Sequence, residues 1–205
     1  MKVSIIIPVY NEEKTLGSIL SKTPKEYEIL VVNDGSTDRS SEIAELFGVK
    51  TIMHEKNLGY DESIKTGFLN STGDILVTMD GDGEHSPVYI YKLIKRMKET
   101  GADIVLGERT NLPRLSESFI SWIARTRVKN IRDFTTGFRA IRRRSLEGIS
   151  LDSMAFGVNL ILRMKKKGLK IESVKISSTR RKKSRIKLTK IIPRIFSVLR
   201  ELLVD

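Results

Sequence analysis

Four short apolar runs, each closed by a polar, acidic or glycine-bearing turn and followed in most cases by a segment of helical spacing, constrain the fold more than any other feature of this chain. Val3–Ile7, Glu28–Val32, Asp74–Met79 and Asp103–Gly107 are rich in Val, Ile and Leu without strict alternation, the pattern of strands buried on both faces. A further strand precedes His54. Between the strands, residues 12–22, 38–47, 60–70 and 87–100 space their apolar side chains for helices, the last with Ile90, Leu93, Ile94 and Met97 on one face. Strand alternating with helix predicts an α/β fold with a mostly parallel central sheet and helices on both faces. Such a sheet binds ligands beyond the carboxyl ends of its strands, so the residues just after each strand carry the functional information.

Those residues are acidic. The first strand leads into Pro8-Val9-Tyr10-Asn11-Glu12-Glu13, the second into Asn33-Asp34-Gly35-Ser36-Thr37-Asp38, and the strand ending at Met79 into Asp80-Gly81-Asp82-Gly83-Glu84-His85. Carboxylates gathered on one sheet edge repel unless a cation or hydrogen-bond donors neutralise them, and a bound divalent ion is the economical solution. Asp80 and Asp82 lie two residues apart, on the same side of an extended chain, with glycines at 81 and 83 permitting a tight turn. Two hard oxygens so placed suit Mg²⁺ or Mn²⁺ and leave coordination positions for diphosphate oxygens; Glu84 is a third candidate ligand, direct or through water. A calcium loop of the helix–loop–helix kind is the competing reading, but its twelfth position would be a closing Glu, and counting from Asp80 that position is Tyr91. In the second turn, Ser36 or Thr37 is expected to cap the following helix, and Asp34, acceptor-only when ionised, to receive the N–H of a nucleobase. His54 and His85 read as structural histidines, His85 being close enough to the acidic cluster to leave open. Ser63 and Gly67 allow close helix packing or ligand approach.

The absence of Cys and the presence of only two His exclude a disulfide scaffold, a thiolate metal centre and a cysteine nucleophile. Residues 1–100 carry 12 basic and 16 acidic side chains and residues 101–205 carry 25 and 9, so the second half attracts polyanions: nucleic acid, an anionic membrane or a phosphorylated molecule. A solvated basic face is the plainer alternative. The densest run, Arg180-Arg181-Lys182-Lys183-Ser184-Arg185, continues to Lys187 and Lys190. No stretch is long enough for a membrane span or a signal core, which predicts a soluble or peripheral, cytoplasmic protein.

Four motifs in register, Ser4-Ile5-Ile6-Ile7-Pro8-Val9-Tyr10-Asn11-Glu12, Val31 to Asp38, Asn57-Leu58-Gly59 and Met79 to Pro87, resemble those of the inverting family 2 glycosyltransferases of the GT-A fold. Farther on, Gly107-Glu108-Arg109, Asp133 to Ala140 and Phe156-Gly157 through Ile171 look like the dolichyl-phosphate mannose synthase branch, over about residues 2–190. The resemblance implies one GT-A domain over residues 1–205, with a nucleotide-sugar and metal half to about residue 110, an acceptor half over about 111–190 and a basic amphipathic helix over about 187–203. It implies transfer of a hexose from a GDP-mannose or UDP-glucose type of donor to a polyprenyl phosphate, assisted by Mg²⁺ or Mn²⁺. Pro8, Tyr10, Glu12, Val32 and Asp34, with Asp80 and Gly81, would line the donor site; Asp80, Asp82 and Glu84 would hold the metal; Arg109 would approach the diphosphate or acceptor phosphate. Glu84 stands where that branch commonly has Gln, Asn159 where it often has Glu, and Lys182 where Gly is common.

The chemistry is displacement at the anomeric carbon with the nucleoside diphosphate leaving, Asp82 and Arg109 acting on the charge that develops. A phosphate acceptor, with a second pKa near ~6, needs no strong base. A hydroxyl acceptor, soluble or saccharide, does need one; Asp133 is then the nearest candidate, or else it orders its loop. Arg139, Arg180 and Lys183, with the rest of the basic run, are expected to pair with a lipid phosphate or anionic head groups. Phe119 to Arg125 carries the only Trp, and reads either as an interfacial helix or as core or subunit contact. The last helix, with Pro193 in its first turn or at a kink, is left to pack, dimerise or lie on a membrane, and a membrane partner protein is a further possibility. A nucleic-acid-binding protein is the reading from another class, but the chain lacks helix-turn-helix, zinc and RNA-recognition signatures. A sugar nucleotidyltransferase would place a Gly-rich phosphate loop after the first strand, where Pro8 to Glu12 stand instead.

Overall fold

The structure is a computed structural model that describes residues 1–110, 115–151, 155–179 and 191–203. In chain order the elements are β1 (Val3–Val9), α1 (Leu16–Lys22), β2 (Glu28–Asn33), α2 (Ser40–Leu46), β3 (Lys50–Met53), α3 (Tyr60–Asn70), β4 (Ile75–Thr78), α4 (Tyr89–Thr100), β5 (Ile104–Arg109), α5 (Leu115–Ala124), β6 (Arg139–Arg142), α6 (Leu160–Lys166), β7 (Ile171–Ile176) and α7 (Ile191–Leu203). The seven strands form one sheet in the order β3-β2-β1-β4-β6-β5-β7. Every neighbouring pair is parallel except those that β6 makes with β4 and β5.

The apolar runs end where they do because both faces of the central strands are covered. Along β1, Ile6 enters one core while Ile5 and Ile7 enter the other; along β5, Ile104 and Leu106 divide from Val105 in the same way. The first core lies beneath α3, α5, α6 and α7 and the second beneath α1 and α4. Ser63 and Gly67 serve packing: Ser63 is buried with its hydroxyl on the Gly59 carbonyl at 3.0 Å, and a Cβ at position 67 would collide with the side chain of Ile6.

The sequence pattern hides two strands, β6 and β7, and β6 bears more on the site. Arg139-Ala140-Ile141-Arg142 has two apolar residues between arginines, too short a run to register as a strand. Its antiparallel course matters for the site. Thr78 and Leu106 both pair with Arg139 at its amino end, so the loop that precedes β6, and not one that follows it, arrives at the carboxyl edge of the parallel strands.

α5 and α7 cover the first core with half of their surfaces. α5 buries Ile120 and Ala124 and exposes Phe119 and Trp122, whose rings stack at 6.0 Å. α7 has Pro193 in its first turn and packs Ile195, Val198 and Leu202 inward, leaving Phe196, Leu199 and Leu203 exposed. Arg163 fastens α7 through Glu201 at 3.1 Å. The choice left open for the last helix is therefore resolved for one face, which packs on the domain. No helix among the described residues is long and apolar enough to cross a membrane.

Candidate active site

The turns after β1 and β2 are sewn to each other. Asn11, held at a φ of 55°, accepts the Thr37 N–H at 2.8 Å on its side-chain oxygen, and its own N–H donates to Ser36 Oγ at 2.9 Å. The N–H groups of Glu12 and Glu13 donate to Ser40 Oγ at 2.9 Å and Asp38 Oδ2 at 3.0 Å. Ser36 and Thr37 thus join the two turns instead of capping α2; it is Asp38 that accepts the Ser40 N–H, at 3.0 Å. Pro8 and Val32 lie side by side in register; Val32, expected to line the donor site, is fully buried in the first core. Tyr10 is exposed at the mouth and Glu12 is buried behind it.

Asp34 has a different first task from the one expected of it. Its Oδ1 accepts from His54 Nδ1 and from the Leu58 N–H, both at 2.8 Å, and its Oδ2 from the Gly59 N–H at 2.9 Å. This buried carboxylate holds the turn between β3 and α3, and any nucleobase contact uses what remains of Oδ2. His54 is completed by Thr66 Oγ1 at 3.0 Å. One residue beyond Gly59, the hydroxyl of Tyr60 hydrogen-bonds the carboxylate of Asp80. The Asn57-Leu58-Gly59-Tyr60 segment therefore links the β2 and β4 ends, and Tyr60 is a site residue that the linear pattern did not single out.

At the β4 end the company is different: Asp80 has the Tyr60 hydroxyl as a donor but two carboxylates as charged neighbours, and the Glu84 N–H donates to Asp82 Oδ1 at 3.0 Å. Burial and the charges of Asp82 and Glu84 push the Asp80 carboxyl up to about 7, against the smaller opposing pull of the Tyr60 hydroxyl and Arg139. Gly137 leaves room for it: a Cβ there would lie 2.5 Å from both Asp80 oxygens. Gly81 lets the turn lie against β1, since its Cβ would meet the Pro8 carbonyl at 3.0 Å, and its own carbonyl accepts from Thr15 Oγ1 at 2.7 Å. Among the described residues no three His, Asp or Glu side chains converge as a ready-made metal cage. The fit to a divalent ion rests instead on this crowding of negative charge around Asp80, with a donor set that substrate oxygens would complete.

Across from it, Arg109 at the end of β5 meets Asp133 with both ends of its fork, Nε to Oδ2 at 2.7 Å and Nη2 to Oδ1 at 3.0 Å, and Nη2 also reaches Thr135 Oγ1 at 2.8 Å. The hydrogen bonds and charge of Arg109 outweigh burial and hold the Asp133 carboxyl below the usual carboxylate range. A carboxylate so stabilised is a poor proton acceptor. Of the two readings left for Asp133, candidate base or ordering residue, the pairing favours the second, with the carboxylate holding the Arg109 fork. Arg139 departs from the role expected of it. Only 3% exposed, it donates Nε to the Thr136 carbonyl at 2.8 Å, Nη1 to that of Gly157 at 3.0 Å and Nη2 to that of Phe134 at 3.1 Å. It braces the loop before β6 and does not face an acceptor phosphate.

The acidic loop is tied on its far side to the chain leaving β7. The Thr179 N–H donates to the Glu84 carbonyl at 3.0 Å and Thr179 Oγ1 to that of Gly83 at 3.1 Å, beside a bridge between His85 and Ser178. Arg180 and Lys183, assigned to the acceptor phosphate, lie outside the described residues, immediately after this tether.

Residues 4–150 match the profile of glycosyl transferase family 2. The chain belongs to that family. This family 2 chain is 33% identical over 196 residues to a dolichol-phosphate mannosyltransferase of Pyrococcus furiosus, an alignment that covers 85% of the chain and 55% of that relative; the chain thus spans about half the length of the curated relative. Its fold is that of solved GT-A glycosyltransferases: it superposes on the glucosyl-3-phosphoglycerate synthase of Mycobacterium tuberculosis with a TM-score of 0.81 at 20% identity, over 98% of this chain and 79% of that one. The same synthase in complex with Mn²⁺, UDP and glucosyl-3-phosphoglycerate gives a TM-score of 0.79 at 19% identity, over 98% and 78%.

Proposed function

We propose that this chain transfers a hexose from a nucleoside-diphosphate sugar to a polyprenyl phosphate at the cytoplasmic face of a membrane. The observation that carries the reading is the crowding of Asp80 against the charges of Asp82 and Glu84, at the same sheet edge as the sewn turns of β1 and β2 and the Arg109–Asp133 pair. Tyr10, Glu12 and Asp34 with its bound turn would receive the nucleoside. Mg²⁺ or Mn²⁺ held by Asp80 and Asp82, with Glu84 directly or through water, would neutralise the diphosphate leaving group. Arg109, its fork fixed by Asp133 and Thr135, presents positive charge without reorganisation.

Two features favour a phosphate over a hydroxyl acceptor. The nearest candidate base, Asp133, is engaged by Arg109, and a phosphate monoester, largely dianionic above pH ~6, attacks without one. The exposed aromatic pair Phe119 and Trp122, followed by exposed Arg125, Arg127 and Lys129, has the chemistry of an interfacial surface, and Phe196, Leu199 and Leu203 of the neighbouring α7 extend it.

A thermal-shift panel tests the donor half, with GDP, UDP and their mannose, glucose and GlcNAc conjugates, each with Mn²⁺, Mg²⁺ or chelator. A ligand at 100 times its dissociation constant adds about 2.7 kcal/mol, roughly 5–11 °C for a chain of this size. Metal-dependent stabilisation by one nucleotide series is expected; no shift with any of them at concentrations above millimolar would refute the donor site. Sedimentation with anionic vesicles that weakens with salt is the corresponding test of the membrane surface, and a Trp122→Ser variant that still sediments would dismiss the aromatic face.

A further inference from the structure

The two histidines of this chain have opposite surroundings. His54 is spent on both ring nitrogens, at 2.8 Å from Asp34 and 3.0 Å from Thr66. The His85 side chain is 1% exposed, yet neither of its ring nitrogens has a hydrogen-bond partner. Buried polar atoms are left unpaired rarely, and each instance calls for a reason. Packing explains why the ring is there but not why it is an imidazole: it stacks on Phe138 at 5.5 Å and an interplanar angle of 27°, a contact that a phenyl ring would make as well.

The ring's position supplies a reason. Nδ1 lies 3.9 Å from Asp80 Oδ2, too far for a hydrogen bond and close enough to share a ligand. Asp82, Glu84, Arg109 and Asp133 all act on the ring electrostatically, so His85 is within reach of both the carboxylate pair and the arginine pair. Its backbone is pinned by the bridge to Ser178. A fixed, buried ring with unused nitrogens, beside Asp80 and within the field of a guanidinium, suits an oxyanion bound at the same place.

We propose that His85 is a ligand-contacting residue whose ring N–H donates to a phosphoryl oxygen bound between Asp80/Asp82 and Arg109. This rests on the functional reading above and adds a contact to it. The phosphoryl group has two sources, the donor's diphosphate and the acceptor's phosphate, and the same chemistry serves either.

With only two histidines, imidazole-selective ¹⁵N NMR of the whole chain resolves both, and His85→Gln assigns them. The probes are Mg²⁺ alone, Mg²⁺ with pyrophosphate, and inorganic phosphate, none of which carries a nucleobase to disturb His54. Saturable movement of the His85 nitrogens with Mg²⁺-pyrophosphate, His54 remaining still, is expected and assigns the contact to the diphosphate; movement with inorganic phosphate alone assigns it to the acceptor phosphate. His85→Gln should bind the responding anion about tenfold more weakly while its Mg²⁺ affinity changes less than twofold, and His85→Phe, which keeps the stack, should lose as much. Pyrophosphate or phosphate binding that leaves His85 unmoved overturns this proposal alone, and so does a response to Mg²⁺ that the anions do not extend. No binding of any probe overturns the functional reading and this proposal with it. Either His85→Gln or His85→Phe suffices to assign the two signals, so the wild-type spectra decide the matter even where one variant fails to fold.

Discussion

The ends of β2 and β4 each present an aspartate at the same sheet edge, and the two have been given opposite company. Asp34 receives three donors at 2.8–2.9 Å, while Asp80 sits beside Asp82 and Glu84 with its carboxyl pushed up to about 7. A carboxylate surrounded by donors builds structure; one set against other carboxylates has the chemistry to take a cation. The same residue type at equivalent places is thus a scaffold in one turn and, in the proposed function, a ligand in the next.

The sharpest way to break that comparison is Asp82→Ala. Transfer should fall at least about 10²-fold, the scale of a lost transition-state charge partner, with the fold intact by circular dichroism; full activity would refute the cation role of the β4 turn. Asp34→Ala should act through structure: three donors lose their acceptor, stability drops by about 1–3 kcal/mol in chemical denaturation, and nucleotide affinity weakens more than metal affinity. Unchanged nucleotide affinity in that variant would withdraw Asp34 from the donor site.

Acidity gives a subtler contrast. The folded-state carboxyl of Asp80 titrates above its ordinary value of 3.8, so its contribution to the metal-free fold is complete below about pH 4 and is lost as pH rises through about 7. Divalent cations bind the ionised form, so the stabilisation they confer should grow over that same interval. Asp80→Asn should raise the metal-free Tm at pH 8 and abolish both trends; a pH-independent response to metal in the wild type would show that Asp80 is not the titrating ligand. The smallest effect is expected at Gly137→Ala, whose methyl group would press on the Asp80 oxygens at 2.5 Å. It should weaken metal-dependent nucleotide binding several-fold in calorimetry while sparing metal-independent binding.

Much of this was legible before any coordinates. Continuous apolar runs located β1, β2, β4 and β5 because burial on both faces leaves no polar alternation to blur them, and the acidic turns after β1, β2 and β4 marked the carboxyl edge; β7, the half-buried Ile-Glu-Ser-Val-Lys-Ile at the sheet margin, offers no such run. What the linear pattern hides is where a polar side chain spends its hydrogen bonds. Arg139, in a basic half, reads as a phosphate ligand until three carbonyls are found on it. Asp133 reads as a base until Arg109 is found across from it. Val32 is a pocket residue by position and a core residue by orientation. Tyr60 is hidden for the converse reason: it sits beside a motif of stronger residues, and only its contact with Asp80 distinguishes it from ordinary core. His85 reads as a structural histidine close to the acidic cluster, and only its tertiary neighbours separate those two readings.

The reversed course of β6 has a consequence for how such a chain can be altered. Because the strand enters at the working edge and leaves at the opposite one, the span from the end of α5 to Phe138 is a closed excursion, fastened at one end by the helix and at the other by β6. That excursion carries Asp133, Thr135 and Gly137 but neither the β1 turn nor the β2 turn. It is a natural unit for exchange between relatives: grafting another chain's span between the same two anchors would change what is set against Arg109 and Asp80 and leave the sewn turns of β1 and β2 in place.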